Sequence, residues 1–289
     1  MSEQAKTPIT SASRVQRITE SAIMIALATV LSLAKLVDLP YGGSITPASA
    51  LPLIIIAYRY GVGWGCLTGL AYSLTQMATT SSFGWVSGFA SVAAVVVLDF
   101  LLAFTSVGLA GVFRRGKSQP AAMLGGAVVY GVVRYLCHVI AGATVWAGIA
   151  IPTGTALLYS LSYNLTYMLP EVIITAAAAY LIGSMLDFRS PSLARVKQEK
   201  ASGVGMLKAA AAGLITAALV YDVAQIFKKA QDEETGEFIT ANLADANWTA
   251  MAILTGLAVI AAAALFVVAR RKKAEAAGAE PAVEPEQEK

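Results

Sequence analysis

The chain predicts an all-α integral membrane protein, a six-helix block followed by a C-terminal two-helix membrane hairpin. Three observations carry that reading. Of 289 residues, 57% are hydrophobic and only 13% are charged. The mean hydropathy is +0.65. The apolar residues fall into long runs joined by short connections, alternate ones of which are basic. Soluble domains rarely carry so little charge, and an apolar helix of about 20 residues crosses hydrocarbon.

Eight spans follow in order. Residues 1–19 form a polar N-terminal segment with no cleavable signal pattern, so the first span, roughly Ser21–Val37, does the targeting. The second, Ala48–Tyr58, is too short to cross upright and is tilted, re-entrant or joined to its loop. The third is Gly61–Met77, the fourth Val86–Val112, the fifth Ala121–Ile149 and the sixth Tyr159–Leu186. These six belong to one block, residues 20–188. A basic linker, 189–204, leads to the hairpin, 205–270, whose spans are Gly205–Phe227 and Trp248–Ala269. Residues 271–289, rich in Ala, Glu and Pro, are expected to be a disordered tail.

Charge placement sets the topology. Lys6, Arg14 and Arg17 precede span one, and Arg59 lies between spans two and three. Arg114, Arg115 and Lys117 lie between four and five, four basic residues follow six, and Arg270–Lys273 follow eight. The alternate loops, Pro40–Pro47, Thr79–Trp85 and Ala150–Leu158, contain no Lys or Arg. The positive-inside rule then places both termini of this multi-pass membrane protein in the cytoplasm, with Lys228–Lys229 as the exception. Basic residues clustered in short loops argue for topology and against nucleic acid.

The chemistry that remains is ligand binding. Cys66 and Cys137 sit in apolar stretches without CxxC or metal spacing, so no metal and no cofactor are expected. The chain has no HExxH, GxSxG or P-loop pattern, so it is not read as an enzyme. Ionisable residues inside spans are costly and mark function by default. In the fifth span Arg134, His138, Gly142 and Trp146 recur every fourth residue and share one helix face. The sixth gives Tyr159, Tyr163, Tyr167 and Glu171 at the same spacing, with Asn164 beside them. The tyrosines also fit an interfacial belt. Glu171 follows Pro170, which frees a backbone carbonyl, and equally fits a structural role. Asp99, in "VVVLDFLLAF", has Arg134 or a cationic ligand as its natural partner. One carboxylate, one imidazole, one amide and several aromatics suit a flat cation with hydrogen-bonding edges.

The stretches "LPYGGSITPASALPLIIIAYRYGVGWG", "LDFLLAFTSVGLAGVF", "RYLCHVIAGATVWAG" and "YSLSYNLTYMLPE" together resemble the thiamine-specific S components (ThiT/YuaJ family) of energy-coupling factor transporters. The resemblance covers about the first 190 residues. It implies a six-helix S-component core that captures thiamine from outside. It further implies docking on a transmembrane coupling subunit that works with two ATP-binding subunits. On this resemblance Asp99, His138, Gly142, Trp146, Tyr159 and Asn164 correspond to ligand-binding positions. Tyr41 stands in for a lid tryptophan, and Phe100 replaces a tyrosine of some relatives. Arg134 and Glu171 are assigned as structural polar residues, Arg134 tethering a carboxylate. Ala22 and Ala26, a small-xxx-small pair on the first span, match the family's docking motif for the coupling subunit. The last two spans lie outside the resemblance.

Other readings stay open. An aromatic box with one acid also suits another small vitamin or a thiamine precursor. Asp99 or Glu171 could instead serve proton coupling in a secondary transporter acting alone, and a lone histidine among serines could serve an intramembrane enzyme.

Overall fold

A computed structural model of the chain describes residues 13–39, 42–79, 83, 86–148, 153–190, 194–195, 203–230 and 240–278. Eight helices appear among them. They are α1 (Arg14–Leu33), α2 (Leu51–Tyr60), α3 (Val62–Thr79), α4 (Phe89–Arg115), α5 (Gln119–Gly148), α6 (Thr153–Met185), α7 (Val204–Ala230) and α8 (Trp248–Gly278). Six of these, all but α2 and α3, are long and apolar enough to cross a membrane. The all-α membrane fold is therefore the observed one, and each expected span has its helix.

The ends differ from the expected ones where polar residues continue a helix. α1 begins at Arg14, seven residues before the expected start, because the Ser13 hydroxyl accepts from the Gln16 amide and caps the first turn. Hydropathy marks where a helix becomes apolar, whereas a cap marks where it starts. At the other end α8 runs to Gly278, so the tail expected from residue 271 is helical for its first two turns. Its "RRKKAEAA" consists of good helix formers.

The chain divides into two compact units, Met1–Arg195 with Val223–Ala246, and Val196–Asp222 with Asn247–Lys289. In the first, α2 is the innermost helix. Its residues Pro52 through Arg59 are all buried, as befits a helix that is apolar on every side. Around it pack Tyr72, Phe104, Val107 and Met123 from α3, α4 and α5. Close approach of α3 and α4 is written in glycine: a Cβ at Gly108 would collide with Cys66 Sγ and the Val62 carbonyl. α4 is irregular. Its turns widen to the π type over Val95–Leu102 and tighten to the 3-10 type over Ser106–Arg115, so Asp99 projects from a π-helical stretch. Such turns gather at functional sites. Between α1 and α2 two short antiparallel strands, β1 (Val37–Asp38) and β2 (Ser44–Ile45), form a hairpin.

Basic residues collect at one end of this unit. Arg59 is buried, donating to Glu20 at 2.9 Å and to the Phe188 carbonyl at 3.0 Å. Arg189 donates to the Tyr58 hydroxyl. Along α1, Glu20 lies near this end and Ser32 near the other.

In the second unit, Thr255 of α8 hydrogen-bonds Asp222 of α7, an interhelical contact of the kind that polar side chains make in membranes.

Candidate ligand-binding site

At the end of the first unit away from Arg59 and Arg189 lies a cavity of about 210 Å³. Ser32 of α1, Tyr72 and Gln76 of α3, and Asp99, Phe100 and Phe104 of α4 form one side. Arg134, His138 and Gly142 of α5 and Tyr163, Asn164, Tyr167 and Glu171 of α6 form the other. Gly42–Ser44, Thr46 and Ser49, from the segment containing β2, complete the wall. Aromatic faces and a few convergent polar groups are what a small-molecule site requires.

Its electrostatic centre is a chain of three side chains. Arg134 Nε donates to His138 Nε2 at 3.1 Å, and His138 Nδ1 lies 2.7 Å from Asp99 Oδ1. One tautomer satisfies both contacts, with hydrogen on Nδ1 and a lone pair on Nε2. The partner of Asp99 is thus His138, not Arg134 directly. The Arg134 guanidinium also stands 4.9 Å from the centre of the Phe104 ring, within cation–π range. Asp99 keeps a quarter of its side chain exposed. Its Oδ2 has no hydrogen-bond partner among the described residues and remains available at the cavity wall.

Asn164 is engaged on both edges. Its Nδ2 donates to the Ser160 carbonyl at 2.9 Å and reaches Ser160 Oγ at 3.1 Å and the His138 carbonyl at 3.3 Å. Its Oδ1 accepts from the Tyr167 hydroxyl at 2.6 Å. Gly142 makes this junction possible, because a Cβ there would collide with Ser160 Oγ. The space left by Gly142 is therefore filled by α6. Tyr159 stacks on Tyr163, ring centres 6.3 Å apart, and Tyr163 meets Tyr167 edge-on.

Glu171 holds the segment before α2. Its carboxylate accepts from the Thr46 amide at 2.7 Å, the Thr46 hydroxyl at 2.6 Å and the Ser49 hydroxyl at 3.3 Å. The Gly43 amide donates to the Tyr163 hydroxyl at 3.0 Å. Backbone shape depends on these ties: Gly42 has φ 96° and Ala48, unusually for a residue with a Cβ, has φ 59°.

Of the positions named from sequence, Asp99, His138, Gly142 and Asn164 line the cavity together with Arg134 and Glu171. Trp146 lies on α5, but its side chain and the whole of Tyr41 lie outside the described residues. Ala22 and Ala26 are exposed on α1. Sequence reasoning passed over Tyr72, Gln76, Thr46 and Ser49. No charge marks them, and only the fold brings them here. Tyr163 and Tyr167 were within its reach, on the four-residue stripe with Glu171.

Residues 18–188 match the family described as "Thiamine transporter protein (Thia_YuaJ)". A protein named thiamine transporter ThiT, from Bacillus subtilis (strain 168), is 32% identical over 179 residues, 57% of this chain and 89% of its own length. A solved structure of ThiT from Listeria monocytogenes is 25% identical, with a TM-score of 0.49, covering 59% of this chain and 94% of that one. The family match runs from the second turn of α1 to just past the end of α6, and on it this chain belongs to the thiamine transporter family.

Proposed function

We propose that this chain captures thiamine from outside the cell and hands it to an ATP-driven energy-coupling factor module. The observation that carries the reading is Asp99, a carboxylate with one uncommitted oxygen in the wall of an aromatic cavity. Thiamine joins a permanently charged thiazolium to a flat aminopyrimidine. An acid next to aromatic faces attracts the cation, and π surfaces hold the rings. Because both nitrogens of His138 are committed, its role is to orient and support Asp99. The Trp146 ring, one turn beyond Gly142 on α5, is assigned to stacking on the ligand, and Tyr41 to the lid.

The cavity opens outward on this reading, since the arginine-rich end faces the cytoplasm by the positive-inside rule. Coupling is assigned to α1. Ala22 and Ala26 are exposed one turn apart, and small residues there permit close approach of another membrane helix. The chain carries no P-loop motif, and ATP hydrolysis is assigned to partner subunits.

Proteoliposomes test this. Uptake of thiamine is expected only when the coupling subunit and both ATPases are present. Ala22→Trp or Ala26→Trp is expected to abolish uptake while leaving thiamine binding by the purified chain intact. Uptake by the wild-type chain alone, driven by a proton gradient, would overturn the coupled mechanism.

A further inference from the structure

A second, much smaller space of about 10 Å³ lies between α5 and α6. Two pairs of residues one helical turn apart face each other across it, Tyr130 and Arg134 on α5 and Glu171 and Thr175 on α6. Tyr130 and Thr175 are 3% and 4% exposed, and neither Tyr130 Oη nor Thr175 Oγ1 has a hydrogen-bond partner among the described residues. The Arg134 guanidinium lies near Tyr130 without meeting hydrogen-bond geometry. Buried hydroxyls are nearly always paired, and on the order of 10–15 Å³ is the space that one water occupies.

Arg134 and Glu171 also line the large cavity. Arg134 leads through His138 to Asp99, and Glu171 leads to Thr46 and Ser49. Among the described residues, Glu171 Oε2 accepts only from the Thr46 amide, whereas Oε1 accepts from two hydroxyls. Oε2 therefore retains acceptor capacity.

We propose that one buried water occupies this space, accepting from the Arg134 guanidinium and bonded to Tyr130 Oη, Thr175 Oγ1 and Glu171. An internal water makes about two to four such bonds. The water completes a polar path from Asp99, through His138, Arg134 and Glu171, to the segment 42–50. Through it the carboxylate in the cavity wall and the segment that closes the cavity share one network. The last statement rests on the reading of the large cavity as the ligand site; the water itself does not.

Two measurements on the full-length, ligand-free protein test the proposal. A crystal structure at a resolution that shows ordered solvent is expected to contain a peak within hydrogen-bonding distance of both Tyr130 Oη and Thr175 Oγ1. A dry space, or hydroxyls that have turned to bond other side chains, would overturn the water. Tyr130→Phe and Thr175→Val each remove one hydroxyl and keep the shape. Each is expected to speed hydrogen exchange at the Thr46 amide several-fold, with the double variant no faster than the quicker single one. Unchanged exchange in both single variants, or effects that simply multiply, would overturn the path. Neither measurement uses thiamine, so a chain that fails to bind thiamine would leave these outcomes standing.

Discussion

His138 settles how the charges of the cavity are arranged. Its ring accepts from Arg134 and faces Asp99 with the other nitrogen, so the arginine steadies the acid through an imidazole rather than by direct pairing. The sequence showed Arg134 and His138 on one face of a helix, because four-residue spacing is enough for that. It named Arg134 or a cationic ligand as the partner of Asp99. It could not show His138 standing between Arg134 and Asp99, since spacing along one helix does not reveal what another helix brings to it. Asp99→Asn retains an oxygen that can accept from His138 Nδ1–H but removes the charge. It is expected to weaken thiamine binding by about 1–4 kcal/mol, the Coulomb attraction of unit charges about 4 Å apart between the limits of bulk water and a protein surface. A neutral hydroxymethylpyrimidine should lose much less. Equal losses in calorimetric titrations of the two ligands would make Asp99 a purely structural residue. Thr46→Val tests the opposite wall. It deletes the hydroxyl that Glu171 accepts at 2.6 Å and is expected to lower stability by about 1–3 kcal/mol, read from thermal melting in detergent.

Helices were the most legible level. Apolar runs placed all eight, and the shortness expected of the second is its observed 10 residues. What hydropathy could not register is how the helices depart from regularity. The π-type turns around Asp99 come from an unbroken apolar run, "VVVLDFLL", with no Gly or Pro to announce them. The junction of α5 and α6 was half visible. Gly142 was placed on the face it shares with His138, but the residue that packs against it, Ser160, lies on the next helix and is not predictable from spacing. Gly142→Val would push against Ser160 and Asn164 together. Overpacking of this kind costs about 1–3 kcal/mol, so the variant is expected to melt earlier and to bind thiamine more weakly. A melting point equal to that of the wild type would show that α5 and α6 do not depend on this close approach.

At the scale of the molecule, α1–α6 form a unit with two unlike ends. One is held by Arg59, Glu20 and Arg189, the other by the cavity and the strands β1 and β2. This polarity was legible from loop charge alone. The boundary of the family match at residue 188 leaves α7 and α8 outside it. A chain ending after Ser202 is therefore expected to bind thiamine with the affinity of the full chain, and a loss of binding would assign the hairpin a part in the site. The most direct test of the account is isothermal titration calorimetry of the purified full-length chain with thiamine, in detergent and without any partner subunit. Saturable binding of one thiamine per chain, tighter than that of hydroxymethylpyrimidine, is the predicted result. No heat with thiamine, or equal affinity for the uncharged pyrimidine, would contradict a site built around Asp99 to hold a flat cation.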